Sequence, residues 1–207
     1  MSAVQIYVEA ETIDCHYDKL TWVYMPKPIY YCNVKNRDIF SNGLKVKIDG
    51  ASGKHWSGFS GNNQVEGISI VWASNMKYFP SNIENVFTNL ILIQISNSKL
   101  IHITSEDLKP FPKLKFLSFL GNLIEFIPEN LFIHNQDLEV IGLDFNKIQH
   151  IDKKAFNKLN KLKVLDLLNN VCTSVGNADT RNDVLITIKQ IERGACQSDK
   201  YATRTEN

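Results

Sequence analysis

The chain has 207 residues and a mass of 23.6 kDa, which allows one domain or a small pair of domains. Hydrophobic residues make up 43% and charged residues 22%, close to the globular average, so wholesale disorder is excluded. The formal net charge of +1 gives no electrostatic case for a nucleic-acid partner. No apolar run approaches the roughly 18 residues of a membrane-spanning helix, so no membrane span is predicted.

The N-terminal part of the chain contains three runs that alternate between apolar and polar residues. These runs, at 4–8, 29–34 and 44–48, predict short strands. No basic segment followed by an apolar core opens the sequence, so no signal peptide is predicted. The protein is therefore either cytosolic or a secreted chain whose leader lies outside this numbering.

The segment 50–63 is rich in glycine and serine and contains Trp56 and Phe59. Two interpretations stay open for it. The aromatic side chains fold back onto the N-terminal strands, or the segment is an exposed loop at the rim of a binding site.

A pattern with a period of 24 residues follows, in four copies that begin at Leu90, Leu114, Leu138 and Leu162. The copies follow L-x-x-L-x-L-x-x-N-x-L, with other apolar residues at several of the Leu positions and Ser98 in place of Asn in the first copy. A weaker copy, one residue out of phase, begins at Val65. Each copy is expected to form one strand of a parallel sheet, with its apolar positions facing inward.

The ninth position of each copy is where the chain is expected to turn. An asparagine amide at that place can satisfy backbone groups that the turn leaves unpaired, and stacked copies form a ladder. We predict that Asn122, Asn146 and Asn170 form this ladder and that Ser98 is its weaker member.

An apolar face at helical spacing follows the last repeat. Val184, Leu185, Ile188 and Ile191 form this face, and Gly194 is a suitable stop. The pattern predicts a helix close to the C-terminus.

The repeats resemble the 24-residue leucine-rich repeats of extracellular proteins such as Toll-like and Slit-like ectodomains, over about residues 65–172. The N-terminal segment, with its Tyr-x-Cys at residues 30–32, is similar to that of short secreted insect proteins of this class. The resemblance implies an α/β solenoid with a curved parallel sheet, an irregular or short-helical convex side, a β-rich N-terminal cap and a helical C-terminal cap. We predict an N-terminal cap at 1–64, five repeats at 65–172, a C-terminal cap at 173–196 and a polar tail at 197–207.

The four cysteines form two pairs that are close in sequence, one pair near each end of the chain, and none forms CxxC. Their spacing alone fits either two disulfides or four buried thiols. The resemblance to secreted proteins with cysteine-clamped caps implies the disulfides Cys15–Cys32 and Cys172–Cys196. It thereby implies a secreted protein, and it suggests a role in immune or developmental recognition.

No motif in the sequence carries catalysis. None of the histidines pairs at metal-ligand spacing, and no nucleophile elbow or paired carboxylates occur. We therefore expect a protein that is not an enzyme and needs no cofactor or metal.

The residues that alternate with the inward positions are expected to form the concave face of the sheet. One predicted column is small or polar, its flanks are apolar, and the face carries almost no charge, which favours an interface. For the column of Leu92, Phe116, Val140 and Val164, the alternative is that neighbouring N-terminal or loop residues half-bury it. The predicted ligand-binding residues are Trp72, Gln94, Phe116, Ser118, Leu120, Asp144, Phe145, Asp166 and Leu168.

Together these observations predict a non-catalytic extracellular recognition module that binds a protein or another macromolecular ligand on its concave face. Two alternatives stay open. One is a structural or matrix protein that self-associates through the same face, for example as a homodimer. The other is an intracellular scaffold with reduced cysteines.

Overall fold

The computed structural model describes residues 9–172 and 176–198. Two short return segments are helical, α1 (Ile83–Val86) and α2 (Ser105–Leu108), and a longer helix, α3 (Arg181–Glu192), follows the last repeat. The strands are β1 (Glu9–Leu20), β2 (Ile29–Val34), β3 (Val46–Ser52), β4 (Gly67–Val71), β5 (Leu92–Ser96), β6 (Phe116–Ser118), β7 (Phe126–Ile127), β8 (Val140–Gly142), β9 (His150–Ile151), β10 (Val164–Asp166) and β11 (Asn177–Ala178).

Nine of these strands form one sheet in the order β11-β10-β8-β6-β5-β4-β2-β1-β3. The five repeat strands β4, β5, β6, β8 and β10 are mutually parallel. Their pairing places Ser69, Gln94, Ser118, Gly142 and Asp166 side by side in one column. The structure thus confirms the predicted solenoid with a parallel sheet, because the inward apolar residues of every copy fall in register.

The core lies between this sheet and the return segments. The inward-facing Ile93, Leu117, Ile141 and Leu165 are fully buried at equivalent places in successive coils. Burial of such side chains contributes about 1.5–3 kcal/mol each, which makes the repeated apolar positions the main stabilising feature of the solenoid.

The return side is partly helical and partly extended. At α2 a capping box starts the helix, since Thr104 accepts a hydrogen bond from the Asp107 amide and the Asp107 carboxylate accepts one from the Thr104 amide. Two coils later, β7 and β9 pair as a small parallel sheet. This extended pairing differs from the expected irregular or short-helical side, and it forms because Ile127 and Ile151 occupy equivalent buried positions.

The asparagines at the turns join consecutive coils through their side chains. Asn146 donates to the Phe119 carbonyl at 2.8 Å and accepts from the Ile124 amide at 3.1 Å, both on the preceding coil. Asn122 and Asn170 make the corresponding bonds. The Ser98 hydroxyl reaches the preceding coil through one hydrogen bond, accepted from the Ala73 amide at 3.2 Å.

The N-terminal strands extend the sheet beyond the first repeat. β2 runs parallel to β4 and antiparallel to β1, and β1 in turn pairs in parallel with β3. The 29–34 run forms a strand with the predicted bounds, whereas the third strand begins at Val46 and continues to Ser52. The 4–8 run lies outside the described residues.

Two disulfides connect the ends of the chain to its repeats. Cys15–Cys32 joins β1 to β2, and Cys172–Cys196 joins the last coil to the segment after α3. Both pairs are those that the resemblance implied. The division of the chain at residues 64, 172 and 196 remains a prediction, and residues 173–175 of the predicted C-terminal cap and 199–207 of the predicted tail lie outside the described residues.

Candidate functional site

The loop that connects β1 and β2, residues 21–28, packs across the outward face of the repeat strands. Met25 is 9% exposed and belongs to a small apolar cluster on this face. Trp22 packs against the same cluster. Its other buried members are Ile29, Leu92, Phe116, Val140 and Val164. The loop therefore covers one edge of the concave face, which we define by the outward columns of β4, β5, β6, β8 and β10.

This covering corrects the expectation for Phe116. Its side chain is 2% exposed, so a ligand cannot contact it without moving the loop. The alternative interpretation of this column, burial by N-terminal residues, describes the structure. The physical reason is that Phe116 and its column neighbours are large apolar side chains, for which a covering apolar loop is the favourable solvent-excluded environment.

A cavity of about 280 Å³ remains between the loop and the sheet. The Tyr24 hydroxyl closes one side of it by donating a hydrogen bond to Asp179 Oδ1 at 3.1 Å. Four predicted ligand-binding residues line it: Ser118, Leu120, Asp144 and Asp166.

Asp144 is the most buried carboxylate of this cavity, with 9% of its surface exposed. Burial, and after it the neighbouring Asp166 carboxylate, raises the pKa of Asp144 from 3.8 to about 6, although the residue's own backbone amide acts in the opposite direction. Asp166 is more exposed, and its Oδ1 accepts a hydrogen bond from the Leu168 amide at 3.0 Å. The two carboxylates give this part of the concave face a negative charge.

A second feature of the face is a column of residues with left-handed backbone, one per coil. Its members are Trp72, Asn97, Gly121, Phe145 and Asn169, with φ between +52° and +70°. Asparagine and glycine suit this conformation, whereas it is unfavourable for large side chains by about 1 kcal/mol or more.

The two aromatic members of this column project into solvent. Trp72 is 66% exposed and Phe145 is 57% exposed. They lie on coils three strand steps apart, roughly 14 Å at the usual spacing of strands. Between them, Gly121 presents no side chain, and a Cβ atom there would come within 2.1 Å of Asn97 Oδ1.

The remaining predicted residues are distributed along the face. The Gln94 side chain accepts a hydrogen bond from the Ser69 hydroxyl at 3.1 Å and donates one to the Ser96 hydroxyl at 3.3 Å. Ser118 is buried on the cavity wall, whereas Leu168 is 43% exposed beside the column that contains Phe145. The face therefore has an acidic cavity towards one edge and exposed aromatic side chains along its left-handed column.

The segment 50–63 folds back onto the N-terminal strands. The Phe59 ring stacks on Tyr30 at 3.8 Å between centroids, and the His55 ring stacks on Tyr17 at 4.0 Å. The pKa of Tyr17 is raised to about 12, mainly by burial. Trp56 stays 43% exposed, with the Lys19 ammonium 5.9 Å from its ring. The first interpretation of this segment thus describes Phe59, and Trp56 is the part left at the surface.

Within residues 9–172 and 176–198, no three His, Cys, Asp or Glu side chains are grouped so that they could hold a metal ion. In the same part of the chain, no helix has the length and apolar composition needed to cross a membrane.

Comparison with known families agrees with this geometry. Residues 136–180 match the family model described as leucine rich repeat. The fold is a leucine-rich-repeat solenoid. A comparison with curated proteins gives no match.

Two similar solved structures contain chains much longer than this one. The structure of the Toll–Spatzle complex, described as a molecular hub in Drosophila development and innate immunity, matches 61% of this chain and 17% of that chain, at 18% identity and a TM-score of 0.48. The crystal structure of a TLR13–ssRNA13 complex matches 67% of this chain and 20% of that chain, at 19% identity and a TM-score of 0.43. This chain therefore spans at most about a fifth of the length of either matched chain.

The sequence did not predict that residues outside the repeats, in the loop 21–28, contribute to the concave face. Trp22, Tyr24 and Met25 line or cover the concave face, and none of them was predicted there. Their signal was a short run of aromatic and apolar residues ahead of Pro26 that belonged to no strand pattern.

Proposed function

We propose that this leucine-rich-repeat chain is a non-catalytic extracellular recognition module that binds a protein or another macromolecular ligand on its concave face. The observation that carries the proposal is the pair Trp72 and Phe145. Both are exposed aromatic side chains held at left-handed backbone positions. A left-handed backbone at a large side chain costs free energy of folding, and the exposed rings leave apolar surface in water. Contacts with a molecule outside the chain explain why such residues are present.

The surroundings of this pair support an interface. Leu120 and Leu168 add apolar surface beside Phe145, while lysine and glutamate are missing from the outward columns of the repeat strands. Aromatic anchors with few charges around them are typical of residues that contribute most of the binding energy in protein complexes. In this proposal, Trp72 and Phe145 are the anchors and Gln94 contributes polar specificity.

The extracellular part of the proposal is supported by the two disulfides, since such bonds persist in oxidising compartments. Intact mass of the protein isolated from its natural source, measured with and without reduction before alkylation, tests it. The proposal expects no alkylation of the native chain without reduction. Four alkylated thiols in native material would instead favour an intracellular scaffold.

The binding part is tested by screening the wild-type chain against a panel of secreted and cell-surface proteins, with the variant Trp72→Ala/Phe145→Ala as the matched control. Because both side chains are exposed, the double variant should keep its thermal unfolding midpoint. A ligand of the concave face should bind the wild-type chain and should not bind the double variant. Ligands that bind both chains equally would place recognition elsewhere.

Self-association through the same face is the competing function, because a second copy could bury the same aromatic pair. Sedimentation equilibrium over a range of concentrations separates the two. A dimer that dissociates in the double variant would favour the structural or matrix role, whereas a concentration-independent monomer supports recognition of another molecule.

A further inference from the structure

The cavity beneath the loop 21–28 carries negative charge without a visible counterion from the chain. Asp144, Asp166 and Asp179 contribute carboxylates to its wall. Among the described residues that line it, there is no lysine, arginine or histidine. A ligand that enters this cavity meets three acidic groups and no basic one.

The three carboxylates differ in the hydrogen-bond donors that they have. Asp179 accepts hydrogen bonds from the Tyr24 hydroxyl at 3.1 Å and from the side-chain amide of Asn177 at 2.7 Å, and Asp166 accepts one from the Leu168 backbone amide. Among the described residues, Asp144 finds no donor for its side chain other than its own backbone amide, although it is nine-tenths buried. A buried carboxylate without donors is unfavourable, so Asp144 is the group that a ligand would satisfy.

The rest of the cavity wall is apolar. Leu120, Val140 and Val164 lie on the sheet side, and Trp22 faces them from the loop. Space for the approach comes from Gly142, where a Cβ atom would lie 3.6 Å from Asp144 Oδ1 and 3.5 Å from Ser118 Oγ. The wall of the cavity thus has an apolar part and an acidic part.

From this arrangement we infer that the cavity receives a lysine or arginine side chain of a partner protein, whose cationic group binds Asp144 and Asp166 and whose alkyl stem contacts the partly exposed Leu120. Long basic side chains have this division between an apolar stem and a charged end. The volume of about 280 Å³ accommodates one such side chain and no folded element. The inference rests on the proposed concave-face recognition and names the chemistry of its ligand.

The test is an NMR titration of the isotopically labelled chain with capped tripeptides. Acetyl-Gly-Lys-Gly-amide and acetyl-Gly-Arg-Gly-amide are the probes, the norleucine tripeptide is the neutral control of the same shape, and pentylammonium represents a free amine. Because the peptides are small, dissociation constants in the millimolar range are expected. Saturable shifts should be confined to the amides of β6, β8, β10 and the loop 21–28, and the norleucine peptide should bind about tenfold more weakly.

Two variants separate a real site from general attraction by negative charge. Asp144→Asn removes the unsatisfied carboxylate, and Gly142→Ala places a methyl group in the cavity at ordinary contact distance without changing charge. Each should weaken the lysine peptide about tenfold or more. Asp137→Asn, which removes a half-exposed carboxylate that pairs with Lys161 and does not line the cavity, is the control and should bind as the wild type does.

Several results would overturn the inference. These are no saturable shift with either basic peptide, equal binding of the norleucine peptide, or unchanged binding by both cavity variants. Tighter binding of pentylammonium than of the lysine peptide would assign the cavity to a free amine. A macromolecular ligand that is lost in Trp72→Ala/Phe145→Ala but unaffected by Asp144→Asn would overturn this inference and leave the proposed function standing.

Discussion

Asn122 donates from its side-chain amide to the backbone carbonyl of Ile95 at 2.7 Å, although 27 residues separate the two in sequence. The oxygen of the same side chain accepts from the Leu100 amide at 3.0 Å. One buried side chain therefore satisfies backbone groups of the preceding coil that the turn would leave without partners. The solenoid depends on this contact because buried backbone groups without partners are unfavourable.

The first expectation concerns this ladder. Asn146→Leu should destabilise the chain by about 2–4 kcal/mol, since it leaves the Phe119 carbonyl and the Ile124 amide buried without their partner. The free energy of unfolding in urea measures the change. Asn157→Ala, at an exposed asparagine, is the matched control and should stay within about 0.5 kcal/mol of the wild type. Equal effects of the two variants would contradict the role of the ladder.

The second expectation concerns the loop across the concave face. Met25→Ala should destabilise the chain by about 1–3 kcal/mol and expose Phe116 and Val140, because Met25 completes the cluster that covers them. Hydrogen exchange of β6 and β8 should accelerate, and binding of a hydrophobic dye should rise. Val23→Ala, at a side chain that is 89% exposed, should change neither property. Unchanged exchange in Met25→Ala would show that the loop does not protect this face.

The third expectation concerns pH. The pKa of Asp144 is raised to about 6 by burial and by Asp166, so the folded chain holds this proton more tightly than the unfolded chain does. Protonation of Asp144 therefore stabilises the folded chain at low pH, and this stabilisation is lost as the pH rises from about 4 to about 6. Tyr24 and Asp179 also line the cavity, and neither brings a positive charge.

Asp144→Asn should remove the loss of stability that ionisation of Asp144 causes as the pH rises. At neutral pH the variant should unfold with a free energy on the order of 1–2 kcal/mol higher than the wild type, with allowance for solvent screening, and the difference should vanish near pH 4. Thermal unfolding across this pH range measures it, with Asp38→Asn at an exposed carboxylate as the control. A variant less stable than the wild type at neutral pH would contradict the unfavourable environment of Asp144.

The fourth expectation concerns the C-terminal disulfide. Replacing Cys172 and Cys196 with serine should destabilise the chain by about 3 kcal/mol, because the bond closes a loop between residues 24 positions apart. α3 should then be cleaved earlier by protease, since Val184 and Ile191 are its buried contacts with the solenoid. A double variant as stable and as resistant as the wild type would show that α3 is held by packing alone.

The repeats were predictable from sequence because their signal is local and periodic. Leu90, Leu114, Leu138 and Leu162 repeat at fixed spacing, and one stacking rule then gives the strand order and the side-by-side columns. The exposed Trp72 and Phe145 followed from the same rule. Strand β1 was missed although Ile13, Cys15 and Tyr17 alternate with polar residues, which is the pattern of a strand with one buried face.

The position of the loop 21–28 could not be predicted, because an irregular segment has no periodic pattern that indicates which surface it packs against. Met25 and Val164 belong to one buried cluster although 139 residues of sequence separate them. The small sheet of β7 and β9 escaped prediction for a related reason. Two residues per coil are too few to show an alternating pattern, and their pairing depends on the register that the main sheet imposes.

The most direct test of the account is the affinity of the Trp72→Ala/Phe145→Ala variant for the first secreted or cell-surface protein found to bind the wild-type chain. Calorimetry of the two chains against that protein gives the dissociation constants, and Leu123→Ala/Val171→Ala, at exposed apolar residues outside the outward columns of the repeat strands, is the control. The aromatic variant is expected to lose about 100-fold in affinity, while the control should bind like the wild type. Full affinity of the aromatic variant would contradict recognition through the concave face.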